Sequence, residues 1–422
     1  MPTDPNQPTA DHARSTLRLL PADLRAARAL LDALTNAAYF TDFERDSLLN
    51  ALQSAQSAYT NGEFDDAEDA FAVLDAFLLK REPLLAAELA EARSADERLL
   101  TALRLWLLEE LNTLSADLAA LQKALIEQAE SHVSALMPGY IRHTPTAILS
   151  CSHWLLSFFW MLARDQDRLA STIAHTAILP LGSDRLAGTR LTFDRRALAA
   201  ALDLGEPSPN SVDAVTDTDF AAEFLFAAAL IGAHLNRLAD DLHLYTALGF
   251  FSTDDGFAPR MQAFRLHAEL FAALGTLGSV EGSALSHMLI TAADTLRTLI
   301  SSAQEAVELL TVDVDPMLDA MDDRLFLPDL TAYLTERGVA PADAHQSVAR
   351  LVVSAARANK SIAELSLEAF QAESSAFAED VFTLFEPTHA AAQRANSGGT
   401  APSAIRAQIQ QAMAWLVGAG LA

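Results

Sequence analysis

Cysteine is all but missing from this chain of 422 residues: Cys151 stands alone. One thiol excludes an intramolecular disulfide and any metal site built on several cysteines. Lysine is nearly as scarce, confined to Lys80, Lys123 and Lys360. With 29 basic against 56 acidic residues the formal net charge is -27. Such a surface repels phosphate backbones and argues against nucleic-acid partners. Aromatic residues make up only 7%, and the apolar content is mainly alanine and leucine, which favours helices over sheets. Long hydrophobic runs are also lacking. The most apolar stretch, around residues 227–232, is interrupted by Glu223 and His234 and is too short to span a bilayer. The opening residues are polar without an apolar core, so no secretory signal is expected and the chain reads as cytoplasmic.

What is present is enough apolar residue, 51%, to bury large cores. The pattern separates three helical regions, 1–95, 96–310 and 311–422. In the first, Pro21 and the Thr41-Asp42 pair mark helix starts and Asn61-Gly62 a break. In the second, Leu99, Leu103, Trp106, Leu107, Leu111, Leu114, Leu118, Leu121 and Leu125 recur at three- and four-residue steps, the stripe of a helix packed in a bundle. A matching stripe runs from Leu285 through Leu289, Leu296 and Ala303 to Leu309. Residues 220–245 are apolar on most sides, as a helix buried all round requires. The third region has shorter helices, with turns at Gly338-Val339-Ala340-Pro341 and at residues 397–402. No strand pattern and no internal repeat stand out.

Several short motifs occur in a fixed order. Leu103-Arg104-Leu105-Trp106-Leu107 comes first, then Met137-Pro138-Gly139-Tyr140, then Pro180-Leu181-Gly182 with Leu186-Ala187-Gly188-Thr189. Residues 210–220 read Asn-Ser-Val-Asp-Ala-Val-Thr-Asp-Thr-Asp-Phe, and a Gly-Gly-Thr-Ala-Pro turn lies near the end. Together they resemble argininosuccinate lyase of the fumarase/aspartase superfamily over most of the chain. The resemblance implies an all-α fold of three helical domains whose central long-helix bundle, 96–310, is the oligomerisation core of a homotetramer. It implies no cofactor and no metal.

The same resemblance exposes losses. In the family, Thr-His follows Met-Pro-Gly-Tyr, grips the substrate and helps to move its proton; here Ile141 and Arg142 stand there. Isoleucine has no donor or acceptor, and arginine does not release a proton near neutral pH. The family's Arg-Ser-Arg-Asn-Asp-Gln, whose Asn binds a substrate carboxylate, aligns with Arg93, Ser94, Ala95, Asp96, Glu97 and Arg98. Asp96 puts a negative charge where a dicarboxylate would sit. The signature loop, Gly-Ser-Ser-x-Met-Pro-x-Lys-x-Asn-Pro, carries the family's serine base and a lysine. Only a short stretch from Phe251 to Arg260 follows Gly249-Phe250 in its place. The family's Tyr, Gln and Lys near the guanidino end of the substrate fall on Gly278, Ser283 and Ser286.

Elimination needs a base, an acid for the leaving nitrogen and a clamp for the charge that builds on the carboxylate. These losses imply a non-catalytic relative acting as a structural, regulatory or ligand-binding homo-oligomer, as the lens delta-crystallins use the lyase fold for bulk. A mixed oligomer with an active lyase is a further expectation. Arg93, Ser94, Arg142, His143, His153, Asn210 and Ser211 are the candidate ligand-binding residues. Two enzymatic alternatives stay open: a site rebuilt from Arg142, His143 and His153, or an argininosuccinate lyase with relocated residues.

Other candidates read as structural. His132, His143 and His153 are spaced by eleven and ten residues, which is no metal-ligand pattern. Asp240, Asp241 and His243 read as solvated charges near a helix end, and Asp254 and Asp255 as turn residues. Cys151, in an apolar context, reads as an inert buried thiol.

Overall fold

The computed structural model describes residues 16–67, 69–252 and 283–421. In chain order the structure begins with four helices: α1 (Leu20–Asn36), α2 (Asp42–Thr60), α3 (Ala70–Arg81) and α4 (Pro83–Glu91). The long helix α5 (Ala95–Ser131) leads into a hairpin of β1 (Leu136–Ile141) and β2 (Thr144–Ser150), and then into α6 (Cys151–Thr176). Next come β3 (Ile178–Leu179), α7 (Arg195–Ala201), β4 (Glu206–Pro207), α8 (Ser211–Thr216), α9 (Asp219–Ala247) and β5 (Phe251–Ser252). After α10 (Ser283–Glu308) follow β6 (Thr311–Val312), α11 (Val314–Asp319), α12 (Leu327–Glu336) and α13 (Pro341–Ala358). The last helices are α14 (Leu367–Glu373), α15 (Pro387–Ala392) and α16 (Pro402–Gly418). The fold is all-α, with three two-stranded sheets among the described residues as minor additions.

Contacts gather the chain into two compact units. Of the described residues, one holds those within 16–118, 164–235 and 283–300, the other 119–163, 236–252 and 301–421. The division falls within α5, α6, α9 and α10, and it follows contacts, whereas the three regions read from the sequence follow order along the chain.

In the first unit, local chemistry sets the helix ends. Pro21 stands at the start of α1, where a missing N–H costs nothing. Thr41 and Glu44 close a capping box on α2: the Thr41 N–H donates to Glu44 at 2.8 Å and the Glu44 N–H to the Thr41 hydroxyl at 3.3 Å. Gly62, at φ 77°, lets the chain leave α2. The leucine stripe is buried: Leu103, Leu107, Leu111, Leu114 and Leu118 are all fully covered. Parallel β3 and β4 tie the loops after α6 and α7.

In the second unit, Leu121 and Leu125 continue that stripe, again fully covered. The hairpin corrects the expectation that no strands form. Helix α5 stops at Ser131, and Met137, Pro138, Gly139 and Tyr140 lie on β1, antiparallel to β2. Pro138 and Pro145 are tolerated because each strand of a two-stranded ribbon is an edge. Gly139 faces Leu149 so closely that a Cβ would come within 2.1 Å of its side chain. The Ser150 N–H donates to the Thr400 hydroxyl at 2.8 Å, fastening the hairpin to the Gly-Gly-Thr-Ala-Pro turn. A separate apolar cluster around Leu334, Leu351, Phe370 and Phe377 holds α12, α13 and α14 together.

Candidate functional site

The first candidate segment, residues 93–98, enters α5 in the first unit. Ser94 and Glu97 have the spacing of a capping box. The Ser94 N–H donates to Glu97 Oε1 at 2.8 Å, and the Glu97 N–H to Ser94 Oγ at 3.4 Å. Glu97 Oε2 accepts from the backbone N–H groups of Gly182, Ser183 and Asp184, each at 2.8 Å. The carboxylate is fully buried. Burial pushes it above the ordinary glutamate range, against four backbone donors that pull it down. Gly182 takes φ 89° to turn its N–H inward.

Beside it runs a chain of charges. Arg93 Nη1 donates to Asp23 at 2.7 Å, Arg98 Nη2 to Asp23 at 2.6 Å, and Arg98 Nη1 to Asp75 at 2.8 Å. Burial raises the Asp23 carboxyl, but the two guanidiniums more than offset this and hold it below the carboxylate range. Burial likewise lowers Arg98, and Asp23 and Asp75 outweigh it to leave Arg98 raised. Arg93 and Ser94 are therefore occupied within the fold: one guanidinium nitrogen of Arg93 serves Asp23, and Ser94 caps a helix. Asp96, in the same turn, is exposed.

Arg104, further along α5, is also buried. It donates to the His175 carbonyl at 2.9 Å, pairs with Asp217, and lies 4.1 Å from the centre of the Phe220 ring. Asn210 caps α8, its side-chain oxygen accepting from the N–H groups of Val212 and Asp213 at 2.9 and 3.2 Å. The Ser211 hydroxyl donates to the Leu186 carbonyl.

The second candidate segment lies in the second unit. Ile141, Arg142 and His143 are at the exposed tip of the hairpin, with Ile141 66% exposed. Arg142 adopts φ 59°, a left-handed conformation unusual for a residue with a Cβ. His153, on the first turn of α6, is half-buried; burial lowers its pKa, and its buried Nδ1 has no hydrogen-bond partner among the described residues. No hydrogen bond or ion pair among the described residues joins Arg142 and His143 to His153.

Next to His153 in sequence, Trp154 anchors an aromatic cluster. Its ring centre is 5.4 Å from that of Phe158, 5.5 Å from Tyr245 and 5.2 Å from Phe251. Its indole N–H donates to Asp241 at 3.0 Å. Burial pushes the Asp241 carboxyl and the Tyr245 phenol up, and pushes the Cys151 thiol up to about 12. Asp241 is thus engaged by an indole rather than being a solvated helix-end charge. Ser286 is buried on α10 and Ser283 is its first residue, while Gly278, Asp254, Asp255 and Arg260 lie outside the described residues. Among the described residues no group of three or more His, Cys, Asp or Glu side chains is arranged to hold a metal.

Sequence reasoning missed the internal ligation of Glu97 by the 182–184 turn. The Ser-x-x-Glu spacing was the available signal, though it gives only the cap. Asp23 and Asp75 carried no signal, because their partners lie 75 and 23 residues away.

Comparison with known proteins follows the same lines. A family model described as "Lyase" matches residues 73–256, and one described as "Argininosuccinate lyase C-terminal" matches residues 328–392. The chain is 36% identical over 423 residues to argininosuccinate lyase of Roseiflexus castenholzii, covering 94% of this chain and 93% of that one. It is 33% identical over 421 residues to the argininosuccinate lyase of Chloroflexus aurantiacus, covering 93% and 91%. Among solved structures, EDDS lyase in complex with formate has the same fold, with a TM-score of 0.86 at 22% identity over 96% of this chain and 87% of that chain. The relatives match almost end to end, and both family models fall in order along the sequence: this chain belongs to the argininosuccinate lyase family.

Proposed function

We propose that this member of the family has lost the elimination reaction and acts as a structural, regulatory or ligand-binding homo-oligomer. The observation that carries the reading is the hairpin tip, where Ile141 and Arg142 stand in solvent in place of the family's Thr-His. Neither can accept and return a proton at neutral pH. Two further points support it. Arg93 and Ser94 are spent on internal contacts. The match to the lyase model stops at residue 256, where the family's signature loop would follow. A lost general base is worth about 10² to 10⁴ in rate and each lost oxyanion-type donor about 10² to 10³, so combined losses leave no useful turnover. The family's homotetramer, built on residues 96–310, is the expected assembly, in the cytoplasm and without a cofactor. A mixed oligomer with an active lyase would let the chain modulate that enzyme.

One observation favours an alternative. The unpartnered Nδ1 of His153, with its lowered pKa, has the makings of a neutral base. On that reading Arg142, His143 and His153 serve a rebuilt site, and the chemistry is that of a carbon–nitrogen lyase. The test is fumarate release from argininosuccinate by the purified protein. None is expected; a turnover within a hundredfold of an ordinary enzyme's value of about 10 per second would sink the proposal. Loss of that activity in His153→Ala would then favour the rebuilt site.

A further inference from the structure

The first unit contains a cavity of about 410 Å³, within the range of about 300–1,000 Å³ usual for small-molecule sites. Its apolar part comes from Leu34 and Phe40 at the end of α1 and from Leu191 and Ala92. Leu34 and Phe40 are otherwise buried. Tyr39 adds a half-exposed ring, held in place because its hydroxyl accepts from the Thr192 N–H at 3.0 Å. The turn carrying Tyr39 is fixed by the Tyr39 N–H donating to the Leu34 carbonyl at 2.9 Å. The opposite wall is fixed as well, since the Asp184 N–H is one of those bound to Glu97. The cavity is therefore shaped by backbone that the buried carboxylate already holds in place.

Its charges point one way. Glu88, Glu91 and Asp184 line it against a single guanidinium, Arg190. None of the four makes an ion pair among the described residues, and all are exposed. An apolar hollow with an aromatic wall and an uncompensated acidic rim selects against the dicarboxylates that the family's chemistry involves. We infer that this cavity binds a small organic cation, an ammonium or guanidinium carried on an apolar body. The apolar body fills the space over Leu34, Phe40 and Leu191. The cationic head lies toward Glu88, Glu91 and Asp184, and the Tyr39 face adds its quadrupole.

This goes beyond the loss of elimination and stands apart from it: fumarate release would overturn that reading and leave the pocket as it is. The experiment is calorimetric titration of the full chain at low ionic strength with benzylammonium, beside benzyl alcohol and benzoate as neutral and anionic counterparts. Benzylammonium is expected to bind about tenfold more tightly than benzyl alcohol, benzoate not at all, and added salt to weaken the binding. Glu91→Gln and Glu88→Gln are each expected to weaken it about twofold to fivefold. Arg190→Ala should strengthen it by a similar factor, whereas Arg357→Ala, which removes an exposed charge outside the cavity, should leave it unchanged. Equal binding of the three compounds, preference for benzoate, or no benzylammonium binding at millimolar concentration would each overturn the inference.

Discussion

The entry to α5 and the β1–β2 hairpin both carry candidate ligand-binding residues, yet they are built in opposite ways. At the entry, Arg93, Ser94, Glu97 and Arg98 are buried and every charge has a partner: Asp23, Asp75 or a backbone turn. At the hairpin, the frame around Gly139 is kept by close packing, while the tip carries Ile141, Arg142 and His143 into solvent. The difference lies in solvation. A buried charge without its partner costs several kcal/mol, so the entry changes only as a set. A solvated tip tolerates most side chains that are not β-branched, so its residues can change with little harm to the fold.

Substitutions at the two places should therefore differ greatly in cost. Asp23→Ala leaves Arg93 without its carboxylate and Arg98 with Asp75 alone, and is expected to lower stability by about 3–5 kcal/mol, read from urea unfolding. A loss below about 1 kcal/mol would mean that water or a rearranged Asp75 replaces the partner, and the contrast with the hairpin would collapse. Acid sharpens the same point. Asp23 has a folded pKa below its unfolded value, so its contribution is complete above about pH 3.9 and is lost as pH falls through the folded value. His153 is also depressed in the folded state, so protonation begins to disfavour the fold below about pH 6.5. A stability–pH profile should thus show two losses on acidification, with the upper one absent in His153→Ala. The smallest effect belongs to the tip. Ile141→Thr with Arg142→His is expected to change stability by no more than about 0.5 kcal/mol and, on the proposed reading, to give no fumarate release. Fumarate release by that double variant would overturn the proposal and place the decisive difference at the tip.

Much of the fold was legible because long helices repeat their pattern often enough to be counted. The leucines from 103 to 125 are buried as the stripe required, and the starts at Pro21 and Thr41 are where the sequence signalled them. The hairpin was not legible, for reasons that can be named. Its strands contain Pro138 and Pro145, and its two-residue turn is Arg142-His143 instead of a glycine pair. Leu309, counted with the second stripe, is 41% exposed because it stands just past the end of α10. The aligned motif residues indicated which of the family's groups are replaced. They gave no sign that Arg93 and Ser94 would be consumed internally, because that depends on Asp23 and on a turn nearly ninety residues further along.

Cys151 makes this protein its own stopwatch. It is the only thiol in the chain, lies fully buried, and its pKa of about 12 leaves almost no reactive thiolate at neutral pH. A maleimide added to the native protein can reach it only after the junction of β2 and α6 has opened. The pace of labelling therefore times that opening directly, with no engineered probe and no second cysteine to confuse the signal.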